Sequence, residues 1–121
     1  KKSDIVVIEG IGGWHVPINT EEMVCDLAAK PSVPVLLVIS NKLGCLNHAS
    51  LTYEAILKTG VQFSGWVLNR LTNDVVEPDA VELSLKRIMG AAPILTIGFN
   101  SQNTEPKQFE SLENIIRSGQ S

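Results

Sequence analysis

No apolar run in this sequence approaches the roughly 20 residues that a bilayer-spanning helix needs, so no membrane segment is expected. Positive charge is not in excess either. Ten Lys and Arg stand against 13 Asp and Glu, a net charge of −3, which gives no reason to expect nucleic acid or an anionic membrane as partner. Cysteine is scarce. Cys25 and Cys45 are too few and too far apart for a disulfide scaffold and show no metal-ligand spacing, which fits a reducing cytoplasm. The opening Lys1-Lys2-Ser3-Asp4 runs directly into an apolar stretch and lacks the form of a signal peptide. Repeats, low-complexity segments and linkers are absent, and the phosphate-binding pattern G-x-x-x-x-G-K-[ST] occurs nowhere.

What is present is an ordinary globular composition, 44% hydrophobic and 19% charged, in 121 residues: at most one domain, or part of one. Asp4 to Ile8 reads as a first strand, followed by a glycine-rich loop over 9–19 containing His15 and Pro17. Asn19 or Thr20 is placed to cap a helix with Glu21 and Glu22 in its first turn, Val24, Leu27 and Ala28 on its apolar face, and Pro31 as its stop. Val33 to Ile39 reads as a second strand, and His48 to Thr59 as a helix ended by Gly60. Gln62 to Leu68 is a third strand, with Trp66 in the core. Asp79 to Met89 is a helix with Val81, Leu85, Ile88 and Met89 on one face. Pro93 to Ile97 is a fourth strand. After a loop over Asn100 to Pro106, a last helix turns Phe109, Leu112 and Ile116 inward and frays over Ser118 to Ser121. Alternating elements with strands apolar throughout predict an α/β fold, a parallel sheet with helices on both faces. An apolar first strand at the very start of the chain predicts that part of the sheet is supplied from elsewhere, by a preceding N-terminal half or another chain.

Three stretches carry chemistry. The first is Asp4-Ile-Val-Val-Ile-Glu9-Gly10-Ile11-Gly12-Gly13-Trp14. An acid at the carboxyl end of a parallel strand sits where open α/β sheets place ligands, and the glycines let backbone approach a phosphate closely. Glu9 is therefore a candidate magnesium ligand beside a nucleotide, since Mg²⁺ takes one or two carboxylates together with phosphate oxygens. The second is Asn41-Lys42-Leu43-Gly44-Cys45-Leu46-Asn47-His48, a strand-to-helix connection whose free N–H groups offer an anion site for a carboxylate or a phosphate. Cys45 has no sequence-evident base, and His15 and His48 show no ligand spacing, so all three read as structural. The third is Gly65-Trp66-Val67-Leu68-Asn69-Arg70. The Asn69 amide both donates and accepts, as a purine edge requires.

Taken together and in this order, the stretches Val7 to Trp14 with Pro17, Lys42 to Ala49, and Gly65 to Asn69 resemble the dethiobiotin synthetase family. The resemblance covers roughly residues 4–100 and corresponds to the C-terminal half of such an enzyme, so that 1–121 reads as the C-terminal portion of one P-loop NTPase-like α/β domain. It implies ATP- and Mg²⁺-dependent carboxylation of 7,8-diaminopelargonate with CO₂ and closure of the ureido ring, releasing ADP and phosphate. On this resemblance Glu9 binds the metal. Glu9, Gly10, Ile11, Gly12, Asn69, Arg70, Gly98 and Phe99 contact ATP. Leu43, Gly44, Cys45, Leu46 and Asn47 hold the substrate carboxylate across a homodimer interface. No residue of this half is assigned a catalytic step. Ile11 stands where the family has a small residue, and Gly98 where proline is common. Because the phosphate loop is missing, the chain alone is expected to be inactive. Two other functions fit the same residues: an inactive binding or dimerisation module of this fold, and a cobyrinate-type ATP-dependent amidoligase, against which the Lys42 to His48 run argues.

Overall fold

Three parallel strands carry the architecture, and each follows from an apolar run, ended by Ser40 in β1, by Asn69 in β2 and by Gly98 after β3. The computed structural model describes residues 5–10, 12–30, 33–101 and 109–118. The elements in order are α1 (Val24–Ala29), β1 (Val35–Ser40), α2 (Cys45–Thr59), β2 (Phe63–Asn69), α3 (Pro78–Met89), β3 (Leu95–Ile97) and α4 (Glu110–Ser118). The sheet order is β1-β2-β3 and both pairings are parallel. Ser40 stands opposite Asn69, and Asn69 opposite Ile97, so all three strands end level.

One face of the sheet is packed by α2 and α3, which also touch each other. Ile39, Trp66 and Leu68 from the strands meet Ala49 of α2 and Leu85 and Met89 of α3 in a single buried cluster. Trp66 donates its indole N–H to the Ala91 carbonyl at 3.1 Å, so the largest core side chain is also hydrogen-bonded. Tyr53 and Phe63 stack at a tilt beside it, ring centroids 4.9 Å apart. Glycines end α2 and α3 in the left-handed region, Gly60 at φ 72° and Gly90 at φ 69°.

At the start of β2 the register slips: Val35 pairs with Phe63, but Leu36 pairs with Gly65. The extra residue, Ser64, makes a bulge, and Gly65 takes φ 131°, which a side chain rarely allows. A Cβ on Gly65 would also run into the Ile94 side chain.

Several elements differ from expectation. Ile5 to Ile8 do not form a strand: they are between 39% and 80% exposed and pair with no strand among the described residues. A strand needs a neighbour's N–H and C=O groups, and an apolar run with none to pair with stays extended and bare. Asp4 and Pro31 lie outside the described residues.

The first helix begins at Val24, later than Asn19 or Thr20 would place it. Asn19 spends its carboxamide oxygen locally, accepting from the N–H groups of Glu21 and Glu22 at 2.8 and 2.9 Å in a turn. The segment folds back, Ile18 N–H to Glu22 C=O at 2.8 Å and Val24 N–H to Val16 C=O at 2.9 Å. Asp26 then accepts from Met23 N–H at 2.8 Å and starts the helix. Cys25 is its buried residue, while Leu27 is exposed.

Helix α2 starts three residues before His48, because Gly44, at φ 87°, turns the chain into it. Phe109, just before α4, and Leu112 and Ile116 within it are half-buried, and none of the three joins the buried core cluster. Ser118, expected to fray, instead ends α4 and donates its hydroxyl to the Ile115 carbonyl at 3.0 Å; residues 119–121 and the loop from residue 102 to 106 lie outside the described residues. No described helix is long and apolar enough to cross a membrane.

Candidate functional site

Parallel strands that end level leave their last side chains around a common opening, where α/β sheets bind ligands. Here the carboxyl ends of β2 and β3 open into a cavity of about 290 Å³ lined by Asn69, Arg70, Leu71 and, from the other strand, Ile97 through Ser101. That volume lies at the small end of ligand pockets, enough for a planar base and not for a whole nucleoside triphosphate. Asn69 and Arg70 thus line one cavity with Gly98 and Phe99, which follow the next strand.

Both walls are held by the backbone. Arg70 N–H donates to the Ile97 carbonyl at 2.9 Å, tying the end of β2 to that of β3. On the far wall Ser101 donates its N–H and its hydroxyl to the Gly98 carbonyl, at 3.3 and 2.9 Å. That closes a turn in which Asn100 adopts φ 51°, a left-handed conformation asparagine tolerates. Phe99 stands at the tip of this turn and is exposed.

The Arg70 guanidinium is engaged by α3. Its Nη2 donates to Glu82 at 2.8 Å and lies 3.9 Å from Asp79. Lys86 reaches the other Glu82 oxygen at 3.0 Å. Lys86 first, and then Arg70, hold the Glu82 carboxyl below its ordinary value against the opposing effect of burial.

Behind the cavity sits Asn41, one residue past β1 and only 4% exposed. Its backbone N–H extends the ladder to the Asn69 carbonyl at 3.2 Å. Its carboxamide accepts from Leu71 N–H at 2.7 Å and donates to the Thr72 carbonyl at 3.0 Å. The sequence analysis missed this role, although a polar residue directly after a buried apolar strand is a signal that could have flagged it.

The second group of expected residues lies at the start of α2. Leu43 is fully exposed, and Gly44 is the left-handed N-cap. Cys45 and Leu46 turn their side chains against the core, so what they offer a ligand is backbone. Cys45 N–H closes a turn onto the Lys42 carbonyl, and His48 N–H onto Gly44, leaving the Leu46 and Asn47 amides along the helix axis. Burial pushes the Cys45 thiol above its ordinary value, which argues against a nucleophile there.

Glu9, Gly10 and Gly12 lie in the N-terminal loop and line neither of the two cavities. Ile11 falls outside the described residues. Glu9 is exposed. Among the described residues no group of three or more His, Cys, Asp or Glu side chains could hold a metal. The donor set at Glu9 therefore fits Mg²⁺ only as one carboxylate completed by phosphate oxygens and water. His15 and His48, expected to be structural, share a cavity of about 260 Å³ with Trp14, whose buried indole N–H has no partner among the described residues.

The AAA domain family matches residues 1–103, the span containing the Glu9 loop, the start of α2 and the cavity at the ends of β2 and β3. This chain belongs to that family. Proteins named ATP-dependent dethiobiotin synthetase BioD resemble this AAA-domain chain through most of its length. That of Aromatoleum aromaticum is 36% identical over 107 residues, 88% of this chain and 47% of the relative. That of Nitrosospira multiformis is 37% identical over all 121 residues, 53% of its own length. That of Aliivibrio fischeri is 46% identical over 71 residues, 59% of this chain and 31% of the relative. The AAA-domain chain thus spans about half the length of the curated relatives it matches.

Proposed function

We propose that this chain is the C-terminal portion of a dethiobiotin synthetase and carries the base end of its ATP site. The observation that supports this reading most is the cavity joining Asn69 and Arg70 to Gly98 and Phe99 at level strand ends. Its size suits a base, and an asparagine carboxamide pairs a donor with an acceptor. Similarity to proteins named for ATP-dependent dethiobiotin synthesis supplies the reaction.

In this reading the whole enzyme adds CO₂ to one amine of 7,8-diaminopelargonate. ATP phosphorylates the carbamate, and the second amine closes the ring, releasing ADP and phosphate. Glu9, exposed at the start of the glycine-rich loop, would hold Mg²⁺, which would neutralise phosphate charge. Gly10, Ile11 and Gly12 lie along the phosphates. The Leu43–Asn47 turn meets the substrate carboxylate through backbone N–H groups. That turn serves the neighbouring subunit of a homodimer, and full exposure of the Leu43 side chain supports such an assignment. The enzyme works in the cytoplasm.

The test is ATP- and bicarbonate-dependent conversion of diaminopelargonate by this chain, alone and mixed with a separately made N-terminal half from a complete relative. Turnover only in the mixture supports the reading. A mixture shown by mass to assemble, yet silent, overturns it in favour of a binding module.

A further inference from the structure

We propose that Asn100 is a specificity-determining residue for the base, reading one edge of adenine while Asn69 reads the adjoining one; this rests on the cavity at the ends of β2 and β3 being the base site. Both residues line that cavity, Asn69 at the last position of β2 and Asn100 in the turn that follows β3. Neither carboxamide makes a hydrogen bond to any described residue, so each keeps a donor and an acceptor for a ligand. Other polar side chains nearby are spent. Asn41 uses its carboxamide on Leu71 and Thr72, and Ser101 donates its hydroxyl to the Gly98 carbonyl at 2.9 Å. Ser101 N–H meets the same carbonyl at 3.3 Å, which closes the turn around Asn100 and holds the backbone that carries its side chain.

One carboxamide cannot choose between the purines. Turning it over exchanges donor and acceptor, so it matches adenine's amine beside N1 as well as guanine's O6 beside N1–H. Two carboxamides on the edges that meet at position 6 do choose. Adenine's amine lies between N1 and N7 and carries a hydrogen toward each, so both edges offer a donor beside an acceptor. Guanine sets O6 beside N7, two acceptors together, and a carboxamide there leaves its oxygen facing an acceptor. A cavity of about 290 Å³ admits a single base, which brings both carboxamides to one ring. Asparagine at φ 51° also has a conformational reason to be in this turn, because it tolerates the left-handed region. Glycine would serve that reason equally well, and the two roles separate on that difference.

The experiment titrates adenosine and guanosine, as base probes without phosphates, into ¹⁵N-labelled 121-residue chain and follows the Asn69, Arg70 and Gly98 signals. The native chain is expected to bind adenosine about tenfold more tightly than guanosine, the scale of one bidentate carboxamide pair. Asn100→Gly keeps the left-handed turn and removes the carboxamide. Its adenosine affinity is expected to fall about tenfold while its guanosine affinity stays within about threefold of native, so that the preference disappears. A looser turn alone would weaken both nucleosides alike and leave their ratio unchanged. Asn100→Asp also tolerates the left-handed region but offers acceptors only, and it is expected to lose the preference as well. Either variant keeping the native preference overturns the proposal and leaves the base site standing, with Asn100 serving the turn alone. A native chain that binds the two nucleosides equally overturns the proposal in the same way. Signals that respond to neither nucleoside overturn the base site, and the proposal with it.

Discussion

Arg70 leaves the end of β2 and donates from Nη2 to Glu82 Oε2, 2.8 Å away on α3. The pair binds the strand that lines the cavity to the helix that roofs the core. It engages the Nη2 end of a side chain that stays 29% exposed beside the cavity. Arg70 therefore serves the cavity first by fixing its wall.

Because Lys86 and Arg70 hold the Glu82 carboxyl below its ordinary value, the folded state binds that proton less readily than the unfolded one. Glu82 then contributes stability above the unfolded carboxylate value. That contribution is lost as pH falls through the lower, folded value. Urea midpoints measured from neutral to acid pH should fall below the carboxylate range in the native chain. In Glu82→Gln the curve should be lower at neutral pH and flatter over that acid range. Equal slopes in the two proteins would show that the pair does not titrate with folding.

Gly65→Ala should destabilise the chain by about 1–3 kcal/mol, as overpacking does. The substitution meets two obstacles, the positive φ of the bulge and the Ile94 side chain where the Cβ would stand. Shortening the neighbour in Gly65→Ala with Ile94→Val should recover only part of the loss, since the backbone strain remains. Denaturant unfolding of both variants checks this, and full recovery would show that crowding alone was at fault.

Glu9 is exposed and outside the core, so Glu9→Gln should leave the stability of this chain within about 0.5 kcal/mol. In the enzyme reassembled with an N-terminal half, the same change should lower Mg²⁺-dependent turnover about 100-fold or more. Turnover close to native would remove Glu9 from the metal site.

The Cys45 thiol, raised by burial, should react slowly with iodoacetamide at neutral pH, and buried Cys25 likewise. Intact mass after a timed incubation reads both. Rapid labelling of the native chain at a single cysteine would mark a thiolate that the packing does not account for.

Much of the fold was legible because it is written locally. The 3.6-residue spacing of Val81, Leu85, Ile88 and Met89 named the inner face of α3, and Leu85 is fully buried there. Gly60 ended its helix where its backbone freedom predicted. The candidate base site was legible only as separate fragments, Asn69 and Arg70 at one strand end and Gly98 and Phe99 after another. Asn41 carried only one local signal, a polar residue directly after an apolar strand, and its partners Leu71 and Thr72 lie 30 and 31 residues away.

The pattern of apolar runs and breakers was enough to dictate α/β class, strand-to-helix alternation and the residues that end each strand. Those depend on side-chain burial and backbone freedom within a few residues of one another. Whether an apolar run becomes a strand depended on tertiary structure. Val35–Ser40 found β2 alongside, whereas Ile5 to Ile8 found no partner among the described residues and remained exposed. The cavity was decided the same way. Only parallel pairing in one register brings Asn69 level with Ile97, and hydrogen bonds between distant backbone groups set that register.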